Sequence, residues 1–135
     1  MFGLPINMLR VSDNRALLID FSFAVKIDEA VPYSGAITCA APSVLRQLAA
    51  GAIRVKCTAA SDLQSLVRAV LLLTQPQILH PTIRDTRGDN LSMLEVQWAD
   101  AFRRAPALFS AADAAAEAGN YELVKAHFAP ALIRQ

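Results

Sequence analysis

Residues 61–74, SDLQSLVRAVLLLT, decide the fold class of this 135-residue chain. Apolar residues recur in this stretch at spacings of three and four, which predicts an amphipathic helix with one buried side. They are Leu63, Leu66, Val67, Val70 and Leu71. Ser61 and Gln64 have the spacing of a capping box, so we expect the helix to begin near Ser61 and to end near Thr74, ahead of Pro76.

The sequence before this helix predicts short strands. Residues 16–28 alternate apolar and polar side chains, which is typical of a half-buried strand, and turn residues separate them from the apolar segment 8–11. A hairpin is therefore expected near the N-terminus. Two further strands are predicted, at residues 36–39 and 53–58. A short helix is expected between them, because Pro42 fits the first turn of a helix and Gly51 fits its end.

The sequence after residue 90 predicts helices. A stripe at helical spacing consists of Leu91, Leu94, Trp98, Ala101 and Phe102. It favours Trp98 as a core residue, with an anchor at a protein interface as the alternative. Pro106 fits the first turn of the next helix, and Gly119 fits its end. Asn120 is then expected to cap a last helix that runs to about residue 129.

The junction Ala116-Glu117-Ala118-Gly119-Asn120-Tyr121, together with Ala126, resembles the helix-turn junction of tetratricopeptide-type repeats. The resemblance covers about one αα-hairpin and implies two closely packed antiparallel helices. Repeat arrays need about three or more copies to bury a continuous core, and the sequence shows one. We therefore interpret the junction as a local packing solution.

These elements predict one α+β domain that covers residues 1–135. A small, mostly antiparallel sheet is expected in the strand-rich residues 1–60, covered by the helix of residues 62–74. Residues 61–135 are expected to be helical, with an irregular loop at residues 77–90.

Composition and charge exclude several classes of function. Thirteen basic and 12 acidic residues give a net charge of +1, whereas nucleic-acid binders carry a clear basic excess. No apolar run is long enough for a bilayer, and the N-terminus is a poor signal peptide, which favours an intracellular, cytoplasmic protein, or a virion protein if the source is viral. Cys39 and Cys57 lie in apolar segments typical of buried thiols, and a disulfide between them stays open.

No motif in the sequence specifies a reaction. The two histidines, His80 and His127, lack the closely spaced ligands of a metal site, and the five glycines form no phosphate-binding loop. We therefore predict no metal, no cofactor and no catalytic residue. A small enzyme with a site near His80 or His127 is kept as an alternative.

The predicted loop at residues 77–90 is the main candidate for binding a protein partner. Loops of this length in compact domains are usually functional or disordered, and this one carries apolar side chains beside its charges. Tyr33, in a Pro-Tyr-Ser-Gly turn, is expected to be exposed and available as well. The predicted partner-binding residues are Tyr33, Ile78, Leu79, His80, Ile83, Arg84 and Arg87.

A hydrophobic content of 54% is high for a chain of this length. Either alanine, which packs helices closely and costs little when exposed, accounts for much of it, or the chain has apolar surface that a neighbour buries. We therefore predict a non-enzymatic structural or interaction subunit of a larger assembly, as a homo-oligomer or in a complex. A phage head or tail component, or an assembly factor, is the specific form that we expect. A small inhibitor or regulatory protein that binds a host enzyme is the alternative from a different class.

Overall fold

The computed structural model describes residues 8–12, 15–18, 29–33, 37–79 and 91–133, and it confirms a small α+β fold. Strand β1 (Met8–Ser12) pairs antiparallel with β2 (Arg15–Leu18), as the hairpin prediction requires. Strand β3 (Ala30–Val31) pairs antiparallel with β4 (Val55–Lys56). Residues 19–28 of the long predicted strand lie outside the described residues.

Five helices make up most of the described chain. None of those described helices has the length and apolarity that crossing a membrane requires. They are α1 (Pro42–Ala49), α2 (Ala59–Thr74), α3 (Leu91–Arg104), α4 (Ala107–Glu117) and α5 (Tyr121–Ile133). Helix α5 continues beyond the predicted end near residue 129.

The core lies between the helices. Helix α2 packs mainly on α4, α4 also packs on α5, and α1 packs on α3. The predicted stripe of α3 is confirmed, because Leu94, Trp98 and Ala101 are fully buried. On α2, Val67 and Leu71 are buried as expected, whereas Leu63 is only partly buried.

The predicted strand at residues 36–39 is wrong. Ile37–Cys39 form one turn of 3-10 helix that packs against α2, and the Ala40 N–H donates to the Ile37 carbonyl at 3.1 Å. The Thr38 and Ala40 carbonyls accept hydrogen bonds from side chains on α3 and α2. The backbone of this segment therefore finds its partners in a turn and in two helices, without a neighbouring strand.

Helix α2 begins one turn earlier than the Ser61–Gln64 spacing predicted. Thr58 is the N-cap, and its hydroxyl accepts from the Ser61 N–H at 3.1 Å while the Ser61 hydroxyl accepts from the Thr58 N–H at 2.8 Å. Ser61 thus occupies the third helical position of a capping box instead of the cap itself.

The predicted end of α4 and start of α5 are confirmed. Gly119 has a φ of +72°, a left-handed conformation that favours glycine after a helix. The Asn120 side-chain oxygen accepts from the Leu123 N–H at 3.1 Å, as an N-cap does. The αα-hairpin implied by the sequence junction is present as α4 packed on α5.

Replacing Thr58 with alanine is expected to lower the free energy of unfolding by about 1 kcal/mol, because the Ser61 N–H loses the acceptor that the Thr58 hydroxyl provides. Urea denaturation of the two proteins measures the difference. Thr58→Ser keeps the hydroxyl and should retain most of the stability. Equal stability of the alanine variant and the wild type would contradict the role given to this cap.

Candidate functional site

A buried arginine is the first unusual feature of the core. Arg68 lies on the packed side of α2 with 3% of its surface exposed. Its Nη1 donates to the Ala40 carbonyl at 2.7 Å, and its guanidinium lies 5.0 Å from the centre of the Trp98 ring. Burial lowers the pKa of Arg68 to about 10, against the raising effect of nearby Asp113.

Trp98 fixes the other side of this arrangement. The indole is fully buried on α3, and its Nε1 donates to the Thr38 carbonyl at 2.7 Å. Phe102, one turn further along α3, packs beside it with ring centres 5.8 Å apart. The Arg68 guanidinium and the Trp98 ring therefore hold each other in one orientation.

Asp113 faces this pair from α4. Burial raises the pKa of its carboxyl group, while the Arg68 charge and a hydrogen bond from the Gln64 side chain lower it. Glu117, one turn along α4, raises the Asp113 pKa further. Gln64 and Arg68 are four residues apart on α2, so both meet Asp113 from the same side of that helix.

Two polar atoms in this cluster lack partners. Arg68 Nε and Asp113 Oδ1 are the buried side-chain polar atoms without a hydrogen bond in the described part of the chain. Buried polar groups in proteins are nearly always paired, so an unpaired donor and an unpaired acceptor in one cluster mark an unusual place. Their burial is costly unless another group or a water molecule satisfies them.

Both residues line one open cleft of about 550 Å³, which we call the acidic cleft. Val96, Ala99 and Phe102 of α3 form its apolar wall, and Val96 is 61% exposed. Three carboxylates line it, from Glu95, Asp113 and Glu117. The cleft therefore joins an apolar surface to an excess of negative charge.

One of these carboxylates is already paired. Glu95 lies 3.5 Å from the guanidinium of Arg46 on α1. Exposed pairs of this kind contribute little to stability. Glu117 makes no ion pair within the described ranges, whereas Asp113 interacts with the buried Arg68 charge, so the free negative charge of the acidic cleft lies on Glu117.

The structure places only part of the predicted partner-binding segment. Ile78 and Leu79 are buried in the core, where the Ile78 carbonyl accepts from Arg104 at 2.7 Å. Their side chains therefore contribute to folding. His80, Ile83, Arg84 and Arg87 lie outside the described residues, and a partner-binding role for the segment stays a prediction.

Tyr33 is not the exposed side chain that its turn sequence suggested. It is partly buried against the core, and burial is the first cause of its raised pKa, with Cys57, Cys39 and Asp62 adding to it. His127 lies half-buried on α5 and does not line the acidic cleft. No group of three or more residues that could hold a metal ion occurs within the described ranges.

Cys39 and Cys57 are free thiols. Cys39 is buried, and burial raises the pKa of its thiol to about 11. Cys57 is only partly buried, and its thiol pKa is also raised, first by burial and then by the charge of Asp62. Since the thiolate is the reactive form, both should react slowly, and Cys39 more slowly.

We expect a thiol reagent such as DTNB to modify one cysteine of the native protein slowly and the second only after unfolding. Substitution of Cys57 by serine should remove the slow native reaction, because Cys39 lies in the core. Spectrophotometric titration with and without denaturant measures both steps. Rapid modification of Cys39 in the folded protein would contradict its burial.

Sequence reasoning did not find the acidic cleft, although one signal was present. Gln64 and Arg68 interrupt an apolar helix at a spacing of four, a pattern that indicates a buried polar pair when both flanks are apolar. Asp113 is a second signal of this kind, because it is a charged residue in an alanine-rich helix. Nothing in the linear sequence joins the two signals.

Comparison of the chain with protein-family models, with curated proteins and with solved structures found no match.

Proposed function

We propose that this chain is a non-enzymatic interaction subunit of a larger protein assembly and that it associates through the acidic cleft. One observation carries the proposal. The two unpartnered buried polar atoms, Arg68 Nε and Asp113 Oδ1, belong to residues that line a cleft with an exposed apolar wall. A partner that covers this place would bury the exposed Val96 side chain.

The shape of the acidic cleft favours a protein partner over a small ligand. Ligand pockets enclose most of the surface of a small molecule, whereas this cleft is wide and open to solvent. Its floor is rigid, because Arg68 is held by Ala40 and by the Trp98 ring. A fixed arginine with an apolar wall and a charged rim has the composition of a protein interface.

The assembly that we propose is built from copies of this chain. Exposed apolar side chains occur on separate elements, such as Ile53 after α1 and Val96 on α3. Self-association is the simplest way to cover such side chains in a small domain. A phage head or tail particle, in which small chains repeat many times, is the kind of assembly that this subunit would serve.

The mass of the purified full chain in solution tests this proposal. Sedimentation velocity over a hundredfold range of protein concentration should show a mean mass that rises above that of the 14.6 kDa monomer. Addition of salt should weaken the association, because exposed charges line the cleft. A monomer at every concentration would contradict the proposal.

A further inference from the structure

We infer that the partner in the acidic cleft is a second copy of this chain, which inserts the exposed turn after α1. This inference rests on the proposed function, and it adds the surface of the second copy that occupies the acidic cleft. We call the inserted segment the basic turn and define it by Ile53, Arg54 and Lys56. The contact joins two different surfaces of the same protein.

The basic turn presents an apolar side chain beside two cations. Ile53 is 86% exposed, and both Arg54 and Lys56 are exposed and make no ion pair within the described ranges. No other exposed large apolar residue of the described chain has two cations and no carboxylate within three positions. Those residues are Leu73, Met93, Val96, Tyr121 and Leu123.

The basic turn is also held in place. Gly51 adopts a φ of +86° after α1, and the Ala52 N–H donates to the Gln47 carbonyl at 3.0 Å. The Gln47 side chain accepts from the Lys56 N–H at 2.9 Å and donates to the Lys56 carbonyl at 3.2 Å. A turn fixed at both ends loses little conformational entropy when it binds.

Its chemistry matches that of the acidic cleft. Ile53 is an apolar side chain for the wall that Val96, Ala99 and Phe102 form. Arg54 carries the guanidinium that the exposed Glu117 carboxylate attracts.

The two surfaces lie at opposite ends of α1 in one protomer. Pro42, its first residue, lines the acidic cleft, and the basic turn follows its last residue. Eight helical residues span roughly 12 Å. Because each copy then offers one turn and one cleft, the contact is heterologous, and successive copies form a ring if the rotation closes or a filament if it does not.

A mixing experiment tests this arrangement. Ile53→Asp blocks the basic turn and Val96→Asp blocks the acidic cleft, and both positions are exposed, so neither change disturbs the core. Leu123→Asp is the matched control, since it places the same charge on an exposed leucine of α5. Circular dichroism of each variant should show the wild-type helix content.

We expect wild type and Leu123→Asp to form species larger than a dimer, as measured by sedimentation velocity and native mass spectrometry. Each blocked variant alone should associate at least about tenfold more weakly, because a buried isoleucine or valine contact is replaced by a charge. An equimolar mixture of the two blocked variants should form a 1:1 dimer that grows no further. The intact basic turn of Val96→Asp fits the intact acidic cleft of Ile53→Asp, and the dimer then has no other intact turn or cleft.

A charge exchange gives an independent check. Arg54→Glu and Glu117→Arg should each weaken association, and the protein that carries both changes should recover it. Wild-type association by Ile53→Asp together with weakened association by Val96→Asp would overturn the inference and leave the proposed function standing, whereas wild-type association by Val96→Asp would contradict both. A mixture that stays monomeric would also overturn it. A wild type that is monomeric throughout would refute the proposed function as well.

Discussion

Replacing Trp98 with alanine is expected to lower the free energy of unfolding by about 4 kcal/mol, the largest effect of any single substitution considered for this chain. The indole is fully buried, so its loss leaves a cavity beside Leu94 and Phe102 in a core that is otherwise closely packed. The Thr38 carbonyl also loses its donor, and Arg68 loses the ring beneath its guanidinium.

Urea denaturation followed by circular dichroism measures this effect, because a two-state analysis gives the free energy directly. Trp98→Phe is the control. Phenylalanine keeps the aromatic face for Arg68 and most of the volume but lacks the indole N–H, so it should cost less than alanine does. A loss below about 1 kcal/mol for Trp98→Ala would mean that the indole does not occupy the core.

Replacing Arg68 with methionine is expected to lower the free energy of unfolding by about 3 kcal/mol at neutral pH. Methionine retains an apolar side chain of similar length, so the loss reports mainly on the charge and its hydrogen bond. The fully buried Ala40 carbonyl loses its donor, and Asp113 loses the cation that lowers its pKa.

The cost of Arg68→Met should depend on pH. Burial already raises the pKa of Asp113 above its ordinary value, and loss of Arg68 raises it further. A carboxyl group with a raised pKa in the folded state opposes folding above its ordinary pKa of 3.8, and this penalty disappears once the group is protonated in both states. We therefore expect the difference from wild type to be smaller at about pH 4 than at about pH 7.

A double-mutant cycle separates the Arg68–Asp113 interaction from general packing. Asp113→Leu alone leaves Arg68 as a buried cation without its nearby carboxylate, whereas the double variant Arg68→Met with Asp113→Leu removes both charges. Replacement of both members of a buried charged pair is often close to neutral. The double variant should therefore be more stable than the sum of the single losses predicts, and strict additivity would contradict the coupling.

Local periodicity predicted much of the helical half of the fold. The spacing of Leu94, Trp98 and Ala101 identified the buried side of α3, because three- and four-residue spacing leaves one side of a helix for the core. Gly119 and Asn120 identified the junction of α4 and α5, since a left-handed glycine and a side-chain cap are local requirements.

The errors arose where distant residues decided the local structure. A spacing of three separates Thr58 from Ser61 and also Ser61 from Gln64. Gln64 is buried near Asp113, however, so it does not reach back to a cap. Ile37–Cys39 were predicted as a strand from apolar alternation, yet the Thr38 carbonyl is bound by Trp98, 60 positions away.

The acidic cleft was beyond sequence analysis for the same reason. Its lining comes from α1, α2, α3 and α4, and its central pair joins Arg68 to Asp113 across two helices that no local pattern connects. The sequence instead suggested residues 77–90, where Ile78 and Leu79 are buried in the core. The apolar content predicted a neighbour, which stays a prediction, and it did not indicate which surface would meet one.

Hydroxyl-radical footprinting of the unmodified protein at low and high concentration tests the central claim most directly, because it measures the solvent exposure of individual side chains. Ile53 of the basic turn and Val96 of the acidic cleft should lose reactivity as the protein associates, while Tyr121 and Leu123 on α5 keep theirs. Protection of Tyr121 and Leu123 with Ile53 and Val96 unchanged would contradict the account, since the copies would then meet through α5.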